Sequence, residues 1–104
     1  MKLLQRRALA DQDIAAAIDY YLDESPALAQ RFVDAAEQAF RHIQRHPGTG
    51  STRYAHELKL PGLRCWSLRR FPYLVFYREG TNNIDVWRVL HARRDIPDWL
   101  TGSE

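Results

Sequence analysis

The sequence predicts an α+β fold: an N-terminal strand, an antiparallel two-helix hairpin packed on a small antiparallel sheet in the order β-α-α-β-β-β, and a short helix near the C-terminal end. Three observations carry that prediction. Apolar residues recur with a 3.6-residue period from Asp11 to Arg45, interrupted once at Ser25-Pro26. From Arg64 onward the pattern changes to runs of β-branched and aromatic residues separated by turn chemistry. The chain has 104 residues, enough for one core and too few for two, so residues 1–104 are expected to form a single domain.

Lys2 to Arg6 is a short apolar-basic run that suits an edge strand, because its charges discourage edge-to-edge pairing. Asp11 to Asp23 reads as a helix with Ile14, Ile18, Tyr21 and Leu22 on one stripe, Asp13, Asp19 and Asp23 off it, and Asp11 as a cap for its start. Ser25 is placed to cap the next helix, with Pro26 in its first turn. That helix runs to about Arg45 and lines up Leu28, Phe32, Ala35, Ala36, Ala39, Phe40 and Ile43. A link this short makes the two helices antiparallel. Pro47-Gly48-Thr49-Gly50 then breaks the pattern, and residues 51–63 show no clear period apart from a Pro61-Gly62 turn. Arg64 to Leu68, Tyr73 to Glu79 and Asn83 to His91 form an antiparallel meander, with the turn of its last hairpin at Glu79 to Asn83. Simple alternation puts Ile84, Val86, Arg88 and Leu90 on one face of the last strand and Asp85, Trp87, Val89 and His91 on the other. A final short helix starting near Ile96-Pro97 would hold Trp99 and Leu100 against the body.

Apolar residues at 45% and charged residues at 27% are globular values and exclude extensive disorder. The net charge of +2 is unevenly spread. Residues 1–50 carry 6 Lys and Arg against 7 Asp and Glu, and residues 51–104 carry 9 against 6, so the halves are −1 and +3. The positive field therefore belongs to the sheet half, which suits nucleic acid, an acidic protein segment or a solvated polar face. Cys65 is the only cysteine, so there is no intrachain disulfide. No signal-peptide core and no bilayer-length apolar run are evident, and a cytoplasmic chain without a membrane partner is expected.

Between Arg64 and Arg94 stand seven arginines against Glu79 and Asp85. Arginine's planar fork matches phosphate and carboxylate, so this cluster is suited to recognition. Arg78 and Arg88, mid-strand, read as structural; Arg93 and Arg94, where the strand ends beside His91, read as functional. His42 and His46 are four apart, but no acid or Cys joins them at ligand spacing, so neither metal nor cofactor is expected. Cys65 beside Trp66 reads as core rather than as a nucleophile paired with His91. Trp87 reads as core and Trp99 as an exposed anchor for a partner.

YLVFYR at Tyr73 to Arg78, RVLHARRD at Arg88 to Asp95 followed by Ile96-Pro97, and the preceding helical half with Ser25-Pro26 at its middle resemble the RelE/ParE toxins of bacterial type II toxin–antitoxin modules. The hairpin followed by VLHxxRD is more similar to the ParE branch. The resemblance spans nearly the whole chain. It implies a toxin that inhibits DNA gyrase by binding, has no catalytic residues, and forms a hetero-oligomer with a cognate antitoxin. His91, Arg93 and Arg94 would face the target with Arg69 and Arg70 in support, and Trp99, Trp66 and Arg64 would meet the antitoxin. Two alternatives stand beside this reading. One is a RelE-like endoribonuclease that cleaves mRNA on the ribosome; such enzymes carry an arginine after the aromatic that opens the third strand and a hydroxyl-bearing aromatic near the C-terminus, where this chain has Leu74 and Trp99. They also carry an arginine after the fourth strand, which Arg93 matches, so one of three positions is retained, although His91 could supply acid–base chemistry. The other is a paralogue that only binds an antitoxin.

Overall fold

The computed structural model describes residues 1–94 and 96–101. Its elements are β1 (Leu3–Arg6), α1 (Ala8–Leu22), α2 (Pro26–Arg45), a 3-10 turn at Pro47–Thr49, α3 (Arg53–Leu58), β2 (Leu63–Ser67), β3 (Tyr73–Glu79), β4 (Asn83–His91) and α4 (Ile96–Thr101). Asp95, the last residue of RVLHARRD, lies outside the described residues.

The helical hairpin forms as its stripes require. Ser25 Oγ accepts from the Leu28 N–H at 3.0 Å and Pro26 occupies the first turn, so α2 starts where its capping chemistry dictates. Phe32, Ala35, Ala36, Ala39 and Ile43 of α2 are buried, and the small alanines let α1 approach closely. Two details of α1 differ from the periodicity reading. The helix starts a turn earlier, at Ala8, and Asp11 caps nothing; its carboxylate takes the Arg6 Nε at 2.7 Å. Leu22, at the end of the stripe, is exposed, and the positions fully buried are Ala10 and Ala17.

The sheet order is β1-β4-β3-β2. β2, β3 and β4 make the expected antiparallel meander, and β1 adds to β4 in parallel, Leu3 opposite Asn83, which makes the sheet mixed. Both faces are covered. The hairpin covers one, over Val75, Tyr77, Ile84, Val86 and Val89. On the other, Leu63, Phe76, Leu90, Ile96 and Leu100 are buried, with Tyr54 and Leu58 of α3 packed against them. Two covered faces explain why YLVFY is continuously apolar rather than alternating.

The alternation expected for β4 fails at one point. Tyr77 pairs with Val86 and Phe76 with Arg88, leaving Trp87 as an extra residue, a β-bulge. Beyond it the faces exchange. Val89 joins Ile84 and Val86 on the helix side, while Leu90 and Trp87 pack on the other. The grouping of Leu90 with Ile84 and Val86 is therefore corrected, and His91 is turned toward α1.

No helix among the described residues is long and apolar enough to cross a membrane.

Candidate functional site

β4 ends at His91, opposite Tyr73, and three hydrogen bonds fold the chain sharply behind it. Ala92 N–H donates to the Pro72 carbonyl at 2.8 Å, Arg94 N–H to the His91 carbonyl at 3.1 Å, and Arg93 N–H to His91 Nδ1 at 3.1 Å. The His91 ring meets the Tyr73 ring edge-on at 5.2 Å. Arg93 and Arg94 are exposed on this turn.

The turn borders an open groove of about 1060 Å³. Its opposite wall is α1, which presents Gln12, Ala16 and Tyr20 four residues apart, and Trp99 of α4 completes the lining. Tyr20 is 62% exposed and Trp99 39% exposed, unusual solvent contact for rings of this size.

Beneath the groove lies a buried ion pair. Arg88 Nε and Nη2 donate to the two Asp13 carboxylate oxygens, each at 2.7 Å, and Oδ2 also accepts the Val89 N–H at 3.0 Å. The side chains are only 7% and 13% exposed. Hydrogen bonding to Asp13 pushes the Arg88 guanidinium above its ordinary value, against the opposing effect of burial, so the guanidinium keeps its charge. Arg88 Nη1 donates to the Trp99 carbonyl at 3.0 Å, which ties α1, β4 and α4 at one point.

With Asp13 and Arg88 neutralising each other, the remaining charges along the groove are Arg93 and Arg94 against Glu24. No carboxylate of the described residues pairs with either arginine. The Arg94 guanidinium sits 4.2 Å from the Trp99 ring centroid, with Arg88 at 5.5 Å. A guanidinium stacked by its face keeps its in-plane N–H groups for a carboxylate or phosphate. Burial pushes the Tyr21 and Tyr73 phenols upward, so both are neutral donors at ordinary pH rather than bases. Chemically, the groove offers apolar and aromatic surface along α1 and guanidinium N–H groups at its rim.

The sequence profile of the family described as ParE toxin of type II toxin-antitoxin system, parDE, matches residues 4–96. The chain belongs to the ParE toxin family. A solved structure titled as the chromosomal ParDE TA system from P. aeruginosa contains a chain of the same fold, with a TM-score of 0.74 at 23% identity; the match covers 89% of this chain and 98% of that one. A search of curated proteins finds no match. Membership of a type II toxin–antitoxin family implies a cognate antitoxin as partner.

In this ParE family member the residues singled out from sequence fall into three places. His91, Arg93, Arg94 and Trp99 converge on the groove. Arg69 and Arg70, on the turn between β2 and β3, border a separate hollow of about 480 Å³ beside α2, together with Arg31 and Phe71. Arg64 and Trp66 lie on β2, an edge strand two strands away from β4. There Arg64 Nη1 donates to the Gly50 carbonyl at 2.9 Å, and Trp66 stacks on His42 at 4.1 Å between ring centroids. His42 Nε2 lies 3.0 Å from Thr49 Oγ1, and no group of three metal-ligating side chains forms among the described residues. Cys65 packs with the cluster on the sheet face away from α1 and α2, where burial pushes its thiol up, so it does not pair with His91. Sequence reasoning missed Asp13, which looked like part of a solvated face, and Tyr20, which sits between two stripe positions. Arg88 was read as structural, and its buried pairing with Asp13 makes it so.

Proposed function

We propose that this ParE-type toxin acts in the cytoplasm by binding rather than catalysis. Arg93 and Arg94 engage DNA gyrase, and the antitoxin neutralises the toxin by covering the same groove. The observation that carries this reading is the pair of exposed guanidiniums at the groove rim, neither of them paired with a carboxylate among the described residues. Messenger-RNA cleavage needs charge stabilisation at the scissile phosphate and groups that move protons. Leu74 packs with the cluster of Leu63, Phe76 and Leu90, so the position where an RNA-cleaving relative would carry a cation is apolar. Trp99 has no titratable proton to give. An antitoxin segment that orders on binding would lay apolar side chains along α1 beside Tyr20 and bring acids to Arg93 and Arg94.

The test uses purified gyrase. The toxin should block supercoiling, and Arg93→Ala with Arg94→Ala should weaken inhibition roughly 30-fold or more, since removing one side of a buried charged contact costs upward of about 2 kcal/mol. Circular dichroism should show that variant still folded. Codon-phased cleavage of messenger RNA on ribosomes, with supercoiling untouched, would instead establish the endoribonuclease alternative. Antitoxin binding without growth arrest would mark a non-toxic paralogue.

A further inference from the structure

We infer that His91 is a positioning residue, whose imidazole presets the turn that presents Arg93 and Arg94. The inference rests on the reading of those arginines as target-facing. A histidine beside two arginines invites a direct role, yet His91 Nδ1 already accepts the Arg93 N–H at 3.1 Å. An acceptor nitrogen carries no proton, so the neutral ring is fixed as the tautomer protonated at Nε2. The His91 carbonyl accepts the Arg94 N–H at 3.1 Å, so one residue satisfies two successive amides of the turn. Its own place is fixed independently by strand pairing with Tyr73 and by the edge-on contact of the two rings. A side chain that accepts from the N–H two residues on is the geometry asparagine adopts in an Asx turn. Without that acceptor the Arg93 amide is left to water, and the two guanidiniums must be ordered when the target binds rather than before.

The turn geometry predicts which substitutions conserve function. His91→Asn keeps an acceptor at nearly the Nδ1 position; His91→Gln moves it one methylene away; His91→Ala removes it. In the supercoiling assay His91→Asn should stay within about twofold of the parent, while His91→Gln and His91→Ala should each lose roughly fivefold, the factor set by one ordinary hydrogen bond. Nitrogen-15 NMR should find Nδ1 unprotonated, and the Arg93 amide should be protected from exchange in the parent and in His91→Asn but not in His91→Ala. Equal loss in His91→Asn and His91→Ala, with the fold intact, would show that the imidazole touches the target itself and overturn the inference. So would full potency of His91→Ala, or an Nδ1–H tautomer. If the parent toxin leaves gyrase untouched, the target reading falls, and the tautomer and exchange measurements still decide whether His91 sets the turn.

Discussion

Replacing Asp13 with asparagine isolates the electrostatic cost of the buried pair, because volume is nearly unchanged while the charge is lost. In the parent the two carboxylate oxygens accept three hydrogen bonds, two from Arg88 and one from Val89. Asparagine keeps one acceptor oxygen, but its amide N–H groups face guanidinium donors, and the Arg88 charge is left buried and uncompensated. Breaking a buried pair from one side costs about 3–5 kcal/mol. The retained acceptor places Asp13→Asn near the lower end, about 3 kcal/mol, which for a domain of this size lowers Tm by roughly 12–24 °C. The same loss should loosen α4, since Arg88 also holds the Trp99 carbonyl. Urea melts of Asp13→Leu, of Arg88→Met and of the two combined form a cycle. The double apolar replacement should recover most of the loss, because neither charge then needs a partner. A cost for Asp13→Asn below about 1 kcal/mol, or losses that simply add, would refute the view that this pair acts as a buried unit.

Phe32 is fully buried, and its ring meets Phe71 and Tyr73 edge-on, so Phe32→Ala should cost about 3–5 kcal/mol in denaturant melts; a loss under about 1 kcal/mol would contradict the packing of α2 on the sheet. A Cβ on Gly50 would collide with the Tyr77 hydroxyl and stand 3.0 Å from the Arg64 Cβ, so Gly50→Ala should cost about 1–3 kcal/mol. Adding Tyr77→Phe removes the colliding oxygen, and the pair should then cost less than the sum of the two changes in the same melts. Burial raises the phenols of Tyr21, Tyr73 and Tyr77, so the folded state holds these protons more tightly than the unfolded chain does. Their contribution is fully present below the unfolded phenol value of about 10 and is lost as pH rises through the folded values. Melts between pH 9 and 11 should therefore show stability falling with pH, with a shallower slope for Tyr77→Phe.

The helical hairpin, the Ser25 cap and the three consecutive strands were legible because each follows from local chemistry: a stripe, a hydroxyl before a proline, a turn between β-branched runs. What escaped is set by distant contacts. Asp13 and Arg88 are partners across 75 residues, and nothing near either marks it as buried. The bulge at Trp87 is invisible because every residue of VWRVL is compatible with strand, and one extra residue then reverses the faces of all that follow. α3 escaped because RYAHEL is under two turns, too short for a period to declare itself. At the site, the convergence of His91, Arg93 and Arg94 needed only their order along one strand end. The separation of Arg69 and Arg70 into another hollow needed the turn between β2 and β3, where Arg70 takes a left-handed φ of 66°.

The parallel pairing of β1 with β4 has a consequence for how the toxin comes into being. Leu3 to Arg6 must wait for Asn83 to Val86, so the sheet gains this edge only after about 80 further residues have been made. At a synthesis rate of about 5–20 residues per second, that delay is roughly 4–16 s. During it α1 and α2 can pair with each other but have no sheet to cover, and neither His91 nor the two arginines behind it yet exists. The arginine rim of the groove is thus made only after the α1 wall that it faces.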